Sequence, residues 1–336
     1  MTLPSTRFKA WRVEEQQVDG KTRYVGRVME RQVSELPPGE VLLRVRYSSL
    51  NYKDALSASG NRGVTRQYPH TPGIDAAGEV LHSDVPEITP GSHVIVTGYD
   101  LGMNTDGGFA QRIRVPAQWL VPLPEGLSLF DSMALGTAGL TAALCVRKLL
   151  QNGLRPDDGD VLVTGASGGV GSVAVALLAR LGFSVHACTG KSAAQEFLHT
   201  LGARSVLPRT ALDAPADRPL LKERWAGAVD VVGGDVLASV LRSTRAGGSV
   251  ACCGLVGSPD LPVTVFPFIL RGINLLGVDS VNIARAEKQA LWHALAGEWR
   301  LPVLPHIAHE IGFEQLQQGL DDLLAGKSTG RTVLRL

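Results

Sequence analysis

Residues 160–179 read Asp-Val-Leu-Val-Thr-Gly-Ala-Ser-Gly-Gly-Val-Gly-Ser-Val-Ala-Val-Ala-Leu-Leu-Ala, which places an apolar strand, a glycine-rich turn and an apolar helix in that order. Such a turn lets the backbone approach a pyrophosphate and points the N-terminus of the helix at its negative charge. The alternative interpretation is a tight turn that only packs the helix on the strand. Because all three elements stand in the required order, the stretch favours a dinucleotide-binding site.

Short apolar segments alternate with helical segments from about residue 128 onward. The pattern predicts strands at 161–164, 184–188, 205–207, 228–232, 249–253 and 274–278. Strands that alternate with helices indicate a parallel sheet with helices on both faces, and ligands bind at the carboxyl ends of its strands. The second half is therefore predicted to be a doubly wound α/β sheet.

Residues 8–125 have a different pattern, in which short strands follow one another with turn residues between them. We predict strands at 41–47, 77–81, 93–97 and 109–115, and one more at the C-terminus, 330–336. The 109–115 segment alternates apolar and polar residues, as a half-buried strand does. The first half is therefore predicted to be a β-rich domain.

Composition excludes several classes of partner. The 336 residues suffice for two domains, and 44% hydrophobic with 19% charged residues is typical of a soluble globular protein. A net charge of +1 offers no electrostatic basis for a nucleic-acid or membrane-surface partner. Residues 1–7 lack the apolar region of a signal peptide, and we expect no stretch of about twenty apolar residues that could span a bilayer.

The cysteines indicate a reducing compartment. Their spacing fits neither a disulfide framework nor a zinc ribbon, so we expect buried, reduced thiols and a cytoplasmic protein. The four are Cys145, Cys188, Cys252 and Cys253.

The residues after the second predicted strand of this sheet bear on the choice of dinucleotide. NAD sites usually carry a carboxylate there that binds the ribose 2′-hydroxyl, whereas this chain has Cys188-Thr-Gly-Lys191. A lysine charge and a threonine hydroxyl suit a 2′-phosphate, so the sequence favours NADPH. A solvated loop with an incidental lysine is the alternative. Arg204 and Arg209, further along, could add positive charge.

Seven short motifs follow one another in order over nearly the whole chain. They occupy residues 48–56, 72–78, 136–139, 164–171, 254–255, 267–271 and 277–280. Together they resemble the acrylyl-CoA reductase group of the medium-chain dehydrogenase/reductase superfamily, whose members are often named quinone oxidoreductases. The resemblance implies a GroES-like barrel domain (1–127 completed by 300–336), a Rossmann domain (128–299), NADPH and a homodimer.

The resemblance also implies which residues contact the cofactor. They are Tyr52, Ser167, Gly168, Gly169, Val170, Thr189, Gly190, Lys191, Leu255, Ile269 and Ser280. Relatives usually have arginine where this chain has Lys191, which keeps the charge but loses the planar fork. Thr137, at the start of the helix that enters the Rossmann domain, could bond near the nicotinamide amide.

We expect no metal. Zinc-dependent relatives take cysteine and histidine ligands from the N-terminal domain, one of them within Gly-His-Glu, where this chain reads Pro72-Gly-Ile-Asp75. The N-terminal domain has no cysteine, and a catalytic zinc needs three protein ligands. His306 and His309 could lie on one helical face, where we expect a structural role.

The chemistry implied is hydride transfer from NADPH to a conjugated double bond. The β-carbon of an enoyl thioester accepts the hydride, donors stabilise the carbonyl oxygen, and a proton reaches the α-carbon. Tyr52 could supply that proton or only pack on the nicotinamide ribose. Arg62 and Arg66 could meet the phosphates of coenzyme A.

Three functions remain open at this point. Reduction of acrylyl-CoA to propionyl-CoA is preferred. An NADPH:quinone reductase and a non-catalytic NADPH-binding sensor are the alternatives.

Overall fold

In the computed structural model, which describes residues 6–213 and 218–336, the first part of the chain is built from antiparallel strands. A hairpin of two long strands comes first, with Asp19 and Gly20 at positive φ in its turn. A seven-stranded sheet follows, in the order β14-β15-β3-β4-β5-β7 with β6 also paired to β3. These strands are β1 (Arg7–Val18), β2 (Lys21–Gln32), β3 (Val41–Ser49), β4 (Asp75–Ser83), β5 (His93–Thr97), β6 (Arg112–Val115), β7 (Leu120–Pro122), β14 (Ala308–Ile311) and β15 (Arg331–Arg335).

Apolar side chains of this sheet form its core. On β3, Leu43 and Val45 alternate with the more exposed Arg44 and Arg46 and are buried with Ile113 of β6, as are Val41 and Leu42 at the start of the strand. That alternation puts one face of the strand toward the core. The helices of this part are α1 (Tyr52–Ala58), α7 (Arg285–Ala296) and α9 (Leu316–Leu324).

Six parallel strands form the second sheet, in the order β10-β9-β8-β11-β12-β13. They are β8 (Val161–Val163), β9 (Val185–Thr189), β10 (Ser205–Pro208), β11 (Trp225–Asp230), β12 (Thr244–Cys252) and β13 (Asn274–Gly277). The order reverses between β8 and β11, which is the doubly wound topology. The predicted α/β class, with a doubly wound parallel sheet beside a β-rich part, is confirmed.

The helices of this second part connect its parallel strands or flank them. They are α3 (Gly169–Arg180), α4 (Gln195–Thr200), α5 (Gly234–Ser243), α6 (Phe266–Arg271) and α8 (Leu304–Ile307). Residues 173–178 of α3 are all buried, because this helix follows the central strand β8.

The chain divides into two compact units. The first contains Met1–Thr137, Val281–Ala296 and Ala308–Leu336, and the second contains Ala138–Ser280 and Gly297–Ile307. These limits include 128–137 and 281–296 in the first unit, whereas the predicted domains, 1–127 with 300–336 and 128–299, assign them to the Rossmann part; that division stays a prediction. Residues 1–5 of the segment expected to lack a signal peptide lie outside the described residues.

Helix α2 (Leu129–Gln151) corrects one expectation. It is 23 residues long and contains an apolar 18-residue window, so by length and composition alone it could cross a membrane. The protein buries 78% of its apolar window, as it would bury the core helix of a soluble protein, so this is weak evidence for a membrane span. The backbone also leaves helical geometry at Gly136, where φ is 54°.

Two local predictions differ from the structure. The strand expected at 109–115 is confined to Arg112–Val115, because the Phe109 carbonyl and the Gln111 amide bond to β1 instead. His306 lies in α8 while His309 lies in β14, so the expectation that both share one helical face is wrong.

Candidate active site

The glycine-rich turn between β8 and α3 has no room for larger residues. Gly165 has a φ of +56°, and a Cβ on Gly171 would lie 2.4 Å from the Gly165 carbonyl oxygen. Helix α3 begins at Gly169, with Gly168 as its N-cap. The turn therefore brings the backbone N–H groups of the first turn of α3 to the carboxyl end of β8, a geometry that receives a pyrophosphate.

A buried aspartate holds this turn to the neighbouring strand. Asp230, at the end of β11, accepts a hydrogen bond from the Thr164 hydroxyl at 2.7 Å and another from the Gly233 amide at 2.8 Å. Burial raises the pKa of the Asp230 carboxyl. Sequence reasoning missed Asp230, although an acidic residue within the strand predicted at 228–232 was visible.

The predicted cofactor residues of β8 and β9 lie together. The hydroxyls of Ser167 and Thr189 are 2.8 Å apart, and the Lys191 amide donates to the Thr189 hydroxyl at 3.1 Å. Burial lowers the pKa of the Lys191 ammonium. The structure thus places Ser167, Thr189 and Lys191 at the carboxyl ends of adjacent strands, one residue from Gly168 and Gly190 in each loop.

The two arginines expected to add positive charge have different positions. The Arg209 guanidinium lies beside Gly190, since a Cβ built there would be 3.3 Å from its Nη2 atom. Arg204 instead donates to the Ser184 hydroxyl at 3.1 Å and lies 3.9 Å from the Asp160 carboxylate, before the amino ends of β9 and β8. The expectation for Arg204 is therefore wrong.

The remaining predicted contacts of the second unit have different exposures. Leu255, after β12, is 65% exposed, and Ile269 of α6 is 68% exposed. The Ser280 hydroxyl is buried 2.7 Å from that of Thr141. The cofactor contacts of these residues, and of Val170 at the start of α3, stay predictions.

In the first unit a polar network surrounds the buried carboxylate of Asp75. Its oxygens accept hydrogen bonds from the Ser49 hydroxyl (2.7 Å), the Asn51 side-chain amide (2.8 Å), and the amide (2.9 Å) and hydroxyl (2.5 Å) of Thr137. Thr137, predicted to bond near nicotinamide, is thus held by Asp75. The network fixes the loop that precedes Tyr52 and the kink of α2.

Arg331 of β15 completes this network and was missed by sequence reasoning. Its guanidinium lies 3.8 Å from the Asp75 carboxylate, and it donates to the carbonyls of Leu50 and Ala134 and to the Ser49 hydroxyl. A Cβ on Gly136 would lie 2.6 Å from an Asp75 oxygen. Only glycine therefore fits where α2 passes this ion pair.

A second buried carboxylate, Asp54, holds the start of α1. It accepts hydrogen bonds from the backbone amides of Asn51 (2.7 Å), Gly73 (3.1 Å) and Ile74 (2.8 Å). Burial, aided by the nearby charge of Asp75, raises the pKa of Asp54 to about 7. Tyr52, the first residue of α1, remains 42% exposed.

Two histidines of the first unit, His70 and His82, have partners other than a metal ion. The buried imidazole of His70 lies 2.9 Å from the Gly102 carbonyl, and exposed His82 lies 3.0 Å from Asp84. Across 6–213 and 218–336, no group of three or more His, Cys, Asp or Glu side chains could hold a metal ion. The expectation of a zinc-free site stays a prediction.

Two family models match the chain. The alcohol dehydrogenase GroES-like domain matches residues 37–125, and the zinc-binding dehydrogenase domain matches residues 169–296. The first confirms the GroES-like assignment of the β-rich part.

Three relatives match over almost their full lengths. The acrylyl-CoA reductase AcuI of Ruegeria pomeroyi is 44% identical over 97% of this chain and 98% of its own. YhfP of Bacillus subtilis, provisionally named a quinone oxidoreductase, is 43% identical over 99% of this chain and 100% of its own. Its crystal structure with NAD bound has a TM-score of 0.95. The yhdH oxidoreductase of Salmonella enterica in complex with NADP is 45% identical, with a TM-score of 0.93 over 98% of this chain and 99% of its own.

Proposed function

The chain belongs to the medium-chain dehydrogenase/reductase superfamily, and we propose that it reduces the activated double bond of a 2-enoyl thioester with NADPH. The reaction assigned is acrylyl-CoA to propionyl-CoA. The full-length likeness to an acrylyl-CoA reductase carries this proposal. NADP in a second relative supports the choice of cofactor.

The described residues fit an adenine dinucleotide. The N–H groups at the start of α3 would hold the pyrophosphate, because the Gly165 and Gly171 backbones are packed too closely for any side chain between them. Lys191, which follows Gly190 in the chain, and Arg209, whose guanidinium lies beside Gly190, would hold a 2′-phosphate. One relative was crystallised with NAD, which lacks the 2′-phosphate, so the role of these two charges in selecting NADPH needs a direct test. When bound, the cofactor supplies a hydride.

The chain's own residues must supply a proton and hold the reacting groups in position. We assign the Tyr52 phenol as the proton donor to the α-carbon of the thioester. Tyr52 is exposed at the N-terminus of α1. The loop before it is fixed through Asn51, whose side chain donates to Asp75 and whose amide donates to Asp54. Such anchoring fixes the backbone from which the phenol projects.

Tyr52→Phe is expected to lower kcat with acrylyl-CoA by roughly 100-fold, since a general acid contributes about that much or more. NADPH binding should weaken less than threefold, because the ring is retained. Stopped-flow absorbance and a fluorescence titration measure the two quantities. An unchanged kcat would leave Tyr52 as a residue that packs on the nicotinamide ribose.

The function itself is tested by following NADPH absorbance with acrylyl-CoA and a simple quinone side by side. Turnover of the thioester is expected. Turnover of the quinone alone would establish the second candidate, a quinone reductase, which the name of the Bacillus relative favours. NADPH binding without oxidation by either substrate would favour a sensor.

We further propose a homodimer formed through the second unit. Apolar side chains project from the segment after β12 and from α6, next to the edge strand β13. They are Leu255, Val256, Val265, Phe266, Ile269 and Leu270. A second copy would cover both the unpaired strand edge and these side chains, and sedimentation equilibrium should give twice the mass of the chain.

We propose a cytoplasmic location, which the four free cysteines support. With a net charge of +1, neither nucleic acid nor a membrane surface is proposed as a partner.

A further inference from the structure

Arg66, Gln67 and Asn104 line a cavity of about 320 Å³ in the first unit. We propose that this cavity binds a phosphate group of the coenzyme A portion of the substrate, with Arg66 as the cationic ligand. The inference rests on the proposed function and adds a subsite to it. Of the two neighbouring arginines, Arg62 and Arg66, only the second is available to an anion within the described residues, as its contacts show.

The Arg62 guanidinium already has partners within the protein. Its guanidinium forms an ion pair with Glu15 at 2.5 Å and donates to the Arg66 carbonyl at 2.6 Å. The same group lies over the rings of Tyr24 and Tyr68, 5.9 and 5.2 Å from their centroids. An arginine whose charge is offset and whose guanidinium packs beside two aromatic rings is a structural part of the loop.

These contacts of Arg62 fix the backbone that presents Arg66. Asn61 adds three more bonds to the same loop, from the amides of Gly63, Val64 and Thr65. The Arg66 amide then donates to the side-chain oxygen of Asn104 at 3.3 Å. The loop is thus tied at both ends, so the position of Arg66 does not depend on a ligand.

Asn104 is itself anchored. Its amide nitrogen donates to Asp100 at 3.0 Å, and the other oxygen of that carboxylate accepts from the Thr105 hydroxyl at 2.8 Å. Both oxygens of the Asp100 carboxylate therefore already accept hydrogen bonds, one of them from Asn104. The wall of the cavity is preformed and polar.

The Arg66 guanidinium, in contrast, has no hydrogen bond or ion pair with any residue in 6–213 or 218–336, and the same holds for the Gln67 side-chain amide. Both project from an exposed loop onto the same cavity. A planar guanidinium with free donors is the side chain best suited to a phosphate, which it binds through two parallel hydrogen bonds. The volume lies near the lower end for ligand pockets, which suits one phosphorylated part of a long substrate.

The test compares two thioesters that differ only in their phosphates, acrylyl-CoA and the acrylyl thioester of N-acetylcysteamine. For Arg66→Ala we expect KM for acrylyl-CoA to rise about tenfold, with kcat unchanged, since one charge-assisted contact is removed from ground and transition states alike. KM for the short thioester should not change. Arg23→Ala, which removes an exposed arginine from β2, is the matched control and should change neither.

Calorimetric titration with coenzyme A itself separates this proposal from the proposed function. Wild-type protein should bind coenzyme A, and Arg66→Ala should bind it about tenfold more weakly. If the chain turns over the short thioester but Arg66→Ala leaves the KM for acrylyl-CoA and the affinity for coenzyme A unchanged, the subsite is wrong and the reductase stands. If neither thioester is reduced while coenzyme A still binds through Arg66, the function is wrong and the subsite stands.

Discussion

Replacing Arg331 with methionine is expected to lower the free energy of unfolding by about 3–5 kcal/mol, the range found when one partner of a buried ion pair is removed. Arg331 is almost fully buried, and its charge is the one that faces both Asp75 and Asp54. Methionine fills much of the volume but leaves Asp75 charged without its ion-pair partner. It also leaves the carbonyls of Leu50 and Ala134 without this donor.

Arg335→Met provides the control, because it lies four residues further along the same strand. Its ion pair with Glu310 is exposed, with side-chain exposures of 69% and 36%, so its removal should cost less than about 1 kcal/mol. Urea unfolding followed by far-ultraviolet circular dichroism and tryptophan fluorescence measures both variants. Equal losses for Arg331 and Arg335 would show that the buried pair contributes no more than a surface one.

The local pattern of apolar residues predicted the strands of the second unit well. Each of its six predicted strands is found within a few residues, because buried parallel strands are short apolar runs that glycine or charged residues separate. Strand β12 begins earlier than expected, at Thr244, since Gly247 and Gly248 lie inside it rather than before it. A glycine pair normally marks a turn, but here it lies where the pairing with β11 skips from Thr244 to Ser249, as glycines often do at a β-bulge.

In the first unit the hairpin of β1 and β2 was not predicted, although its signal is present. Asp19-Gly20 lies between two long segments of strand-forming residues, and an Asp-Gly pair is a strong indicator of a two-residue hairpin turn. Many charged residues in both strands obscured the apolar alternation, because most of β2 is exposed. The turn residues therefore indicate this hairpin more clearly than the apolar pattern of its strands does.

Some residues of the candidate site could likewise be predicted from the sequence, and others could not. The glycine turn, Thr189 and Lys191 follow from short motifs, since their residues are neighbours in sequence. Asp75 and Arg331 are 256 positions apart, and no local pattern indicates which distant arginine meets which carboxylate. The choice between Arg204 and Arg209 was likewise beyond sequence reasoning, because it depends on which end of a strand each side chain lies beside.

Removing both cations beside Gly190 is expected to weaken NADPH binding by roughly 100-fold or more. Each charge-assisted contact to a phosphate contributes about 1.5–3 kcal/mol, and 1.4 kcal/mol corresponds to tenfold in affinity. Lys191→Ala and Arg209→Ala should therefore each cost about tenfold, and the double variant the product of the two. NADH lacks the 2′-phosphate, so its affinity should change less than threefold. Fluorescence titration measures the affinity of the wild type and of each variant for both nucleotides.

Arg204→Ala is the matched control, because it removes an arginine five residues before Arg209 that lies beside Asp160 rather than beside Gly190. Its affinity for NADPH should equal that of the wild type. A parallel loss of NADPH and NADH in the double variant would mean that Lys191 and Arg209 support the loop instead of binding the phosphate. The hydrogen bond from the Lys191 amide to Thr189 argues against that outcome, because it involves the backbone and survives both substitutions. The selectivity ratio between the two nucleotides, rather than either affinity alone, therefore decides whether this pair of charges recognises the 2′-phosphate.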